Sequence, residues 1–357
     1  MNRTSGMNAG QIIGTRDGLQ VVAIDIAKLV FQVHTVDMST GEIVDKQLKR
    51  AKVTQYFANK PACFIVMEAC GGAHHWGREL RALGHTVRLL DPKAVRPFVT
   101  GNKNDAIDAC AIWTAAQQPK ARFVGIKTLE QQATLTLHRQ REQLMKMRNM
   151  QANALRGLLS EFGLIFAKSN EALFRELETA LQSLSRQIPQ MVCDSLREQL
   201  ARIKTLDQEI DTLAKRLGVQ LRQDAQMKRI AQIPGVGVLT ATAAIATMGD
   251  PAAFKSGRQF CAWLGLVPTQ NGTGGKVHLG GISKRGDTYL RTLLIHGARS
   301  VLNHTKEPGP WLQGLQSRRH PNVVTVALAA KMARTIWALA ATQRDYQNGH
   351  QSTKPAH

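Results

Sequence analysis

The sequence predicts an α/β N-terminal domain followed by a longer, mostly helical remainder, on three observations. The run VVAIDIAK at residues 21–28 reads as a buried strand and opens an alternation of strands and helices over the first 126 residues. Leu196, Leu200, Ile203, Leu206, Ile210, Leu213 and Leu217 step by threes and fours, the period of a helix with one buried face. The C-terminal part is nearly free of acid, with 9 basic and 2 acidic side chains in residues 227–300 and 7 and 2 in residues 301–357, against 16 and 10 in residues 1–126 and 15 and 12 in residues 127–226.

A chain of 357 residues exceeds what one core usually holds, so two or three domains are expected. Its hydrophobic share of 43% supports folded cores rather than disorder. The formal charge of +21 points to a polyanion, most simply nucleic acid, against the plainer reading of a solvated basic face. The 5 cysteines form no CxxC pair and are odd in number, which fits a reducing cytoplasm. The first eighteen residues carry no apolar run of signal-peptide length. The apolar runs Val236–Met248 and Val323–Ala340 are too short or carry Lys331 and Arg334, so no membrane segment is expected.

In order, residues 1–18 read as a mobile leader. Val21–Asp25 is the first strand, Phe31–Val36 its hairpin partner and Glu42–Leu48 a third strand. Thr54–Asn59 reads as a short helix, and Cys63–Met67 as an apolar strand running into Glu68. Ala73–Leu83 reads as a helix ended by Gly84, a C-cap residue, and His85–Leu90 as a further strand. A basic loop, Lys93–Lys103, leads to a helix opened by Asn104, Asp105 and Asp108 and running to Ala116. Three strands, helix, strand, helix, strand, helix is the order of the ribonuclease H-like fold.

The acids fall at defined places in that order. Asp25 lies on the first strand, Glu68 ends the fourth, and Asp105 and Asp108 share one helix face. A lone buried charge is costly. Four converging carboxylates become favourable once Mg²⁺, which prefers oxygen ligands, sits among them. Two such ions about 3.5–4 Å apart stabilise both the attacking and the leaving oxygen of a phosphodiester. Each acid also has a plainer role, Asp105 at a helix N-terminus, Asp108 on a solvated surface and Glu68 capping a turn. His74 and His75 show no zinc spacing.

Residues 127–226 read as two long helices, folded back on each other or paired between subunits, with turns at Pro189 and around residues 162–170. Arg139 and Arg148 there serve nucleic acid or a solvated helix face. IPGVG at residues 233–237, followed by an alanine-rich apolar run, is a helix–hairpin–helix pattern. Gly235 and Gly237 would let the backbone approach a phosphate, a contact without sequence information, or would make an ordinary turn. Gly272, Gly274, Gly275, Gly280 and Gly281 predict a pliable loop carrying Thr273, Lys276, Ser283, Lys284 and Arg285. A hydroxyl beside cations suits a phosphoryl-transfer nucleophile and equally a plain phosphate-binding loop. A last helix, Val323–Thr342, and a mobile tail, residues 343–357, complete the chain.

Taken as a set, AIDIAK, VMEACGG, KNDAIDA, IPGVG and GISKRGDTYLRTLLIHGAR resemble the insertion-sequence transposases that join an N-terminal DEDD, RuvC-like domain to a C-terminal serine-containing transposase domain, with the Piv-type DNA invertases as relatives. The resemblance spans about residues 20–340. It implies a RuvC-like domain at residues 19–126, a coiled-coil region at 127–226 and a C-terminal transposase domain at 227–342. It implies the DEDD acids at Asp25, Glu68, Asp105 and Asp108, and an element-encoded bridge RNA that pairs with donor and target DNA. It further implies a homo-oligomer, dimer to tetramer, exchanging strands through a composite active site. The family commonly shows Ser-Ser-Gly-Gly-Lys in the Gly-rich loop, where this chain has Gly272-Thr273-Gly274-Gly275-Lys276. Thr273 is the first candidate nucleophile and Ser283 the second. A metal-dependent junction endonuclease without a covalent intermediate, and a nucleic-acid-binding protein with vestigial acids, are the competing readings.

Overall fold

The acid-bearing run becomes a strand near the middle of a mixed sheet. The computed structural model describes residues 15–16, 18–37, 40–101, 104–119, 121, 123–167, 169–274 and 276–348, without the side chains of Thr15, Arg16 and Thr273. Of the expected leader and tail, residues 1–14, 17 and 349–357 lie outside that description. The described residues form two compact units divided between Thr128 and Leu129.

The first unit holds strands β1 (Thr15–Arg16), β2 (Leu19–Ile26), β3 (Val30–Val36), β4 (Ile43–Lys49), β5 (Phe64–Glu68), β6 (Thr86–Leu90) and β7 (Phe123–Val124). They are ordered β4-β3-β2-β5-β6-β7, with β1 beside β2. Strands β2, β3 and β4 pair antiparallel, β5 and β6 join in parallel, and β7 closes the edge antiparallel. Along the chain, β2 to β6 come in the expected sequence with the helices, and β1 and β7, too short to leave a period in the sequence, are additions.

Helices α1 (Val53–Ala58), α2 (Ala73–Ala82), α3 (Pro92–Val95) and α4 (Asp105–Gln117) cover the two faces. Because side chains alternate along a strand, the parity of a residue decides its face. Val22, Ile24, Ile65 and Met67 pack with Phe57, Trp76 and Leu80 of α1 and α2. Val21, Ala23, Phe64 and Val66 pack with Ala111, Ile112 and Ala115 of α4. Burial on both faces explains why β2 and β5 read as continuous apolar runs.

The second unit opens with α5 (Leu129–Ser160), α6 (Asn170–Leu184) and α7 (Gln190–Gln223). The expected pair of helices is thus a set of three. The turn-marked segment between the two long stripes folds as α6, whose Leu173, Leu177 and Leu181 meet Leu155 and Leu159 of α5 and Leu196, Leu200 and Ile203 of α7. Ser169 caps α6 by accepting from the Ala172 N–H at 3.1 Å.

Beyond them come α8 (Ala225–Ala231), α9 (Val238–Met248), α10 (Gly257–Trp263), strands β8 (Pro268–Thr273) and β9 (Lys276–Ile282), and α11 (Thr288–His304), α12 (Pro310–Gln316) and α13 (Pro321–Thr342). Phe260, Leu264, Leu290, Leu294, Ala333 and Ile336 are completely buried in their common core. Helix α13 is long and apolar enough to cross a membrane, yet half of its apolar window is buried in this core. The expected pliable loop is instead an antiparallel hairpin, β8 on β9, with Gly272 opposite Val277 and Thr273 opposite Lys276. The expected mobile tail is docked through residue 346, since Asp345 pairs with Arg229 at 3.2 Å and Tyr346 packs on the core.

Candidate active site

Strand parity delivers Asp25 and Glu68 to one place. Asp25 has the parity of Val21 and Ala23, and Glu68 that of Phe64 and Val66, so both acids lie on the α4 face, where those strands leave their buried stretch. Asn104 starts α4 by accepting the Ala106 N–H on its side-chain oxygen at 3.1 Å. That cap sets Asp105 and Asp108 in the first turn, one turn apart. The result is a group of carboxylate oxygens from Asp25, Asp105 and Asp108 within 4.8 Å of one another. Glu68 stands outside that group but close enough to feel Asp108.

Among the described residues no cation forms an ion pair with the group. Burial pushes the Asp25 carboxyl up to about 6, and the charges of Asp108, Asp105 and Glu68 push the same way, against one backbone hydrogen bond from Ile26. Burial, Asp108 and Asp91 likewise raise Glu68. Asp91 is an acid the sequence reading passed over. It follows β6, whose Leu90 lies opposite Glu68, and caps α3 through the Lys93 N–H at 2.9 Å. Only the parallel register of β5 and β6 brings it near. The Cys70 thiol is also raised, by burial and then by Glu68 and Asp25. His74 takes no part in the acid group. Its Nδ1 accepts from the Lys127 N–H at 3.2 Å, and burial beside Lys127 and Arg78 depresses it to about 4.

The hydroxyl candidates sit on the hairpin of the second unit. The β9 residues from Lys276 to Gly281 are exposed. Thr273 ends β8, with its side chain outside the described atoms. Ser283 follows β9, and its Oγ is buried with no hydrogen-bond partner among the described residues. At the foot of the hairpin Lys284 adopts a left-handed backbone with φ 53°, a conformation that costs a non-glycine residue about 1–2 kcal/mol.

These two constellations have relatives. A family profile described as "Transposase IS116/IS110/IS902 family" matches residues 227–310, and a second, described as "Transposase" and covering DEDD transposases of the IS110 type, matches residues 22–163. The chain is 48% identical to the "Probable family 20 transposase" of Pseudomonas aeruginosa over 93% of its own length and 99% of the relative's. It is 39% identical to the transposase for insertion sequence element IS1111A of Coxiella burnetii, over 93% and 92% of the two chains. It is 36% identical to the transposase for insertion sequence element IS1328 of Yersinia enterocolitica, over 89% and 96%. The chain belongs to the IS116/IS110/IS902 family of transposases.

This insertion-sequence transposase is therefore an enzyme that acts on DNA. Its DEDD domain implies a divalent metal, and the residues present fit one. Asp25, Asp105 and Asp108 offer hard oxygen ligands at short mutual distance, and a divalent cation would relieve the repulsion that, after burial, raises Asp25.

The remaining basic and glycine candidates of the transposase divide by what they touch. Lys276, Lys284 and Arg285 are exposed on the hairpin and its foot. Arg139 is largely exposed and pairs with Glu142 at 3.4 Å and Asp287 at 3.7 Å. Arg148 instead spans α5 and α7, holding Asp207 at 2.6 Å. Gly237 caps α9 with open space where a Cβ would stand, whereas Gly235, at φ 81°, lies against the backbone of Gly297 on α11. The demand for glycine at position 235 thus comes from helix packing.

Proposed function

We propose that this transposase cuts and rejoins the DNA strands of its insertion sequence through a covalent protein–DNA intermediate. The convergence of Asp25, Asp105 and Asp108 at the end of the sheet carries the reading, because three clustered carboxylates suit a phosphodiester-cleaving metal site. When bound there, Mg²⁺ supplies charge stabilisation to the phosphate oxygens. Asp25, Glu68, Asp105 and Asp108 hold it, and Asn104 and the two strand ends hold them.

In this reading the nucleophile is Thr273, on the exposed hairpin. Its oxygen forms an ester bond to phosphorus and its proton passes to water or a carboxylate. One P–O bond to a sugar breaks, and the released sugar oxygen takes up a proton. A strand hydroxyl then reverses the step on the new partner, so the number of ester bonds is conserved. Ser283 ranks second, because its hydroxyl is turned into the protein. Lys276, Lys284 and Arg285 meet the phosphate backbone, with Arg139 and the open N-terminus of α9 at Gly237 as further contacts. Arg148 is assigned to the helix pair. Residues 19–126 supply the acids, 127–226 join subunits of a dimer or tetramer, and 227–342 supply the hydroxyl. An RNA made by the element selects donor and target DNA by base pairing.

The test uses the purified chain with RNA transcribed from the element's flank, Mg²⁺, and labelled donor and target DNA. Recombinant junctions and a protein–DNA adduct are expected for the wild type, with neither for Asp25→Asn and no adduct for Thr273→Ala. Cutting without an adduct in both Thr273→Ala and Ser283→Ala would establish a metal-dependent endonuclease instead.

A further inference from the structure

Arg291 is buried, and among the described residues no carboxylate pairs with its charge. Its guanidinium donates to the backbone carbonyl of Leu264 at 2.9 Å, to that of Arg285 at 2.7 Å and to the Thr288 hydroxyl at 3.1 Å. Leu264 caps the C-terminus of α10, where helix carbonyls lack intrahelical partners and carry partial negative charge. Arg285 belongs to the foot of the hairpin. One buried side chain therefore ties the segment that follows the hairpin to the C-terminus of α10 that precedes it.

The backbone around it is equally constrained. A Cβ on Gly286 would run into the Trp263 carbonyl, and one on Gly265 into the backbone of Arg285. The N–H of Lys284 donates to the Gly265 carbonyl at 3.1 Å, and that of Ser283 to Val267 at 2.9 Å. Asp287 caps α11 through the Leu290 N–H at 2.8 Å. Everything that converges here fixes Ser283–Gly286, and the residue held in the left-handed conformation is Lys284, one of two adjacent exposed cations. Strained backbone persists only where its surroundings over-determine it, and such places are commonly functional.

We propose that Arg291 is a positioning residue for DNA, a buried arginine that touches no phosphate but aims Lys284 and Arg285 at the phosphate backbone. This rests on the reading that Lys284 and Arg285 make phosphate contacts. The guanidinium is suited to the task because Nη1 donates to both carbonyls while Nη2 holds the Thr288 hydroxyl, a set that lysine, one bond shorter and with a single nitrogen, cannot reproduce in full.

The experiment is the salt dependence of binding by the full chain to a mixed-sequence DNA duplex, with thermal melting of each variant alongside. Each phosphate contact contributes about 0.9 to the slope of log affinity against log salt concentration. Lys284→Ala/Arg285→Ala is expected to flatten the slope by about 2. Arg291→Met is expected to flatten it by nearly as much, and to add nothing in the triple variant. Arg291→Lys, which keeps the charge but not the full set of hydrogen bonds, should fall between and supplies the readout if Arg291→Met does not fold. A wild-type slope in Arg291→Met or Arg291→Lys, beside a flattened one in the double variant, would reduce Arg291 to a stabiliser of the fold and overturn the inference. A wild-type slope in the double variant would overturn the phosphate reading itself, and the inference with it.

Discussion

In metal-free buffer at pH 7.5 the Asp25→Asn variant is expected to unfold at a higher temperature than the wild type. Asp25 titrates at about 6 in the folded chain against an ordinary 3.8, so the folded state binds its proton more tightly than the unfolded state. The wild type's stability from this group is fully present below about pH 4 and is lost as the pH rises through 6. A shift of this size corresponds to about 3 kcal/mol for a fully buried group, and solvent around the half-buried Asp25 reduces it to about 1–2 kcal/mol. Asn cannot ionise and so escapes that cost, which should raise the midpoint by roughly 3–6 °C. Divalent metal reverses the order, because it binds the wild-type carboxylates and stabilises only what it binds. Differential scanning calorimetry in EDTA and in Mg²⁺, at pH 5 and 7.5, reads all of this. A variant that melts at or below the wild type in EDTA at pH 7.5, or that gains as much from Mg²⁺, would refute the reasoning.

The neutral network around His138 predicts an acid-side loss. Thr242 donates to the Val238 carbonyl at 2.7 Å and so accepts from His138 Nε2, leaving Nδ1 to accept from the Tyr289 hydroxyl. Burial and the charges of Arg141 and Arg139 depress His138 from 6.5 to about 4. Its contribution is therefore present above pH 6.5 and lost as the pH falls toward 4, by up to about 3 kcal/mol in urea titrations at the two limits. Tyr289→Phe leaves Nδ1 unpaired and should cost about 1–3 kcal/mol at pH 7.5 in the same assay. Gly286→Ala combines a left-handed backbone at φ 69° with overlap on Trp263, so a loss above about 1–2 kcal/mol is expected. Leu177→Ala, at a completely buried position of α6, should cost about 2–5 kcal/mol by chemical denaturation.

What was legible in the sequence followed from periodicity. The places of Asp25 and Glu68 on their strands could be read because each interrupts or ends an apolar run, and the shared face of Asp105 and Asp108 because three residues make nearly one helical turn, whereas the common face of Asp25 and Glu68 emerged only from the packing of the sheet. The α7 stripe was legible for the same reason, with Leu196, Leu200, Ile203, Ile210, Leu213 and Leu217 all buried. Helix α6 was missed because its stripe is short and lies between two evident turns. The hairpin was missed because β9 is exposed from Lys276 to Gly281, so its residues show no alternation. Asp91, Tyr346 and the Arg291 clasp were out of reach because each depends on one long-range contact, which leaves no period to read.

In the proposed mechanism the acids act as one metal site. Calorimetric titration of the full chain with Mg²⁺ and Mn²⁺ tests this, for the wild type, Asp25→Asn, Asp108→Asn and the hairpin variant Lys276→Ala. Binding weakened at least about tenfold in both acid variants and unchanged in Lys276→Ala is the predicted result. Equal affinity in wild type and acid variants would contradict it.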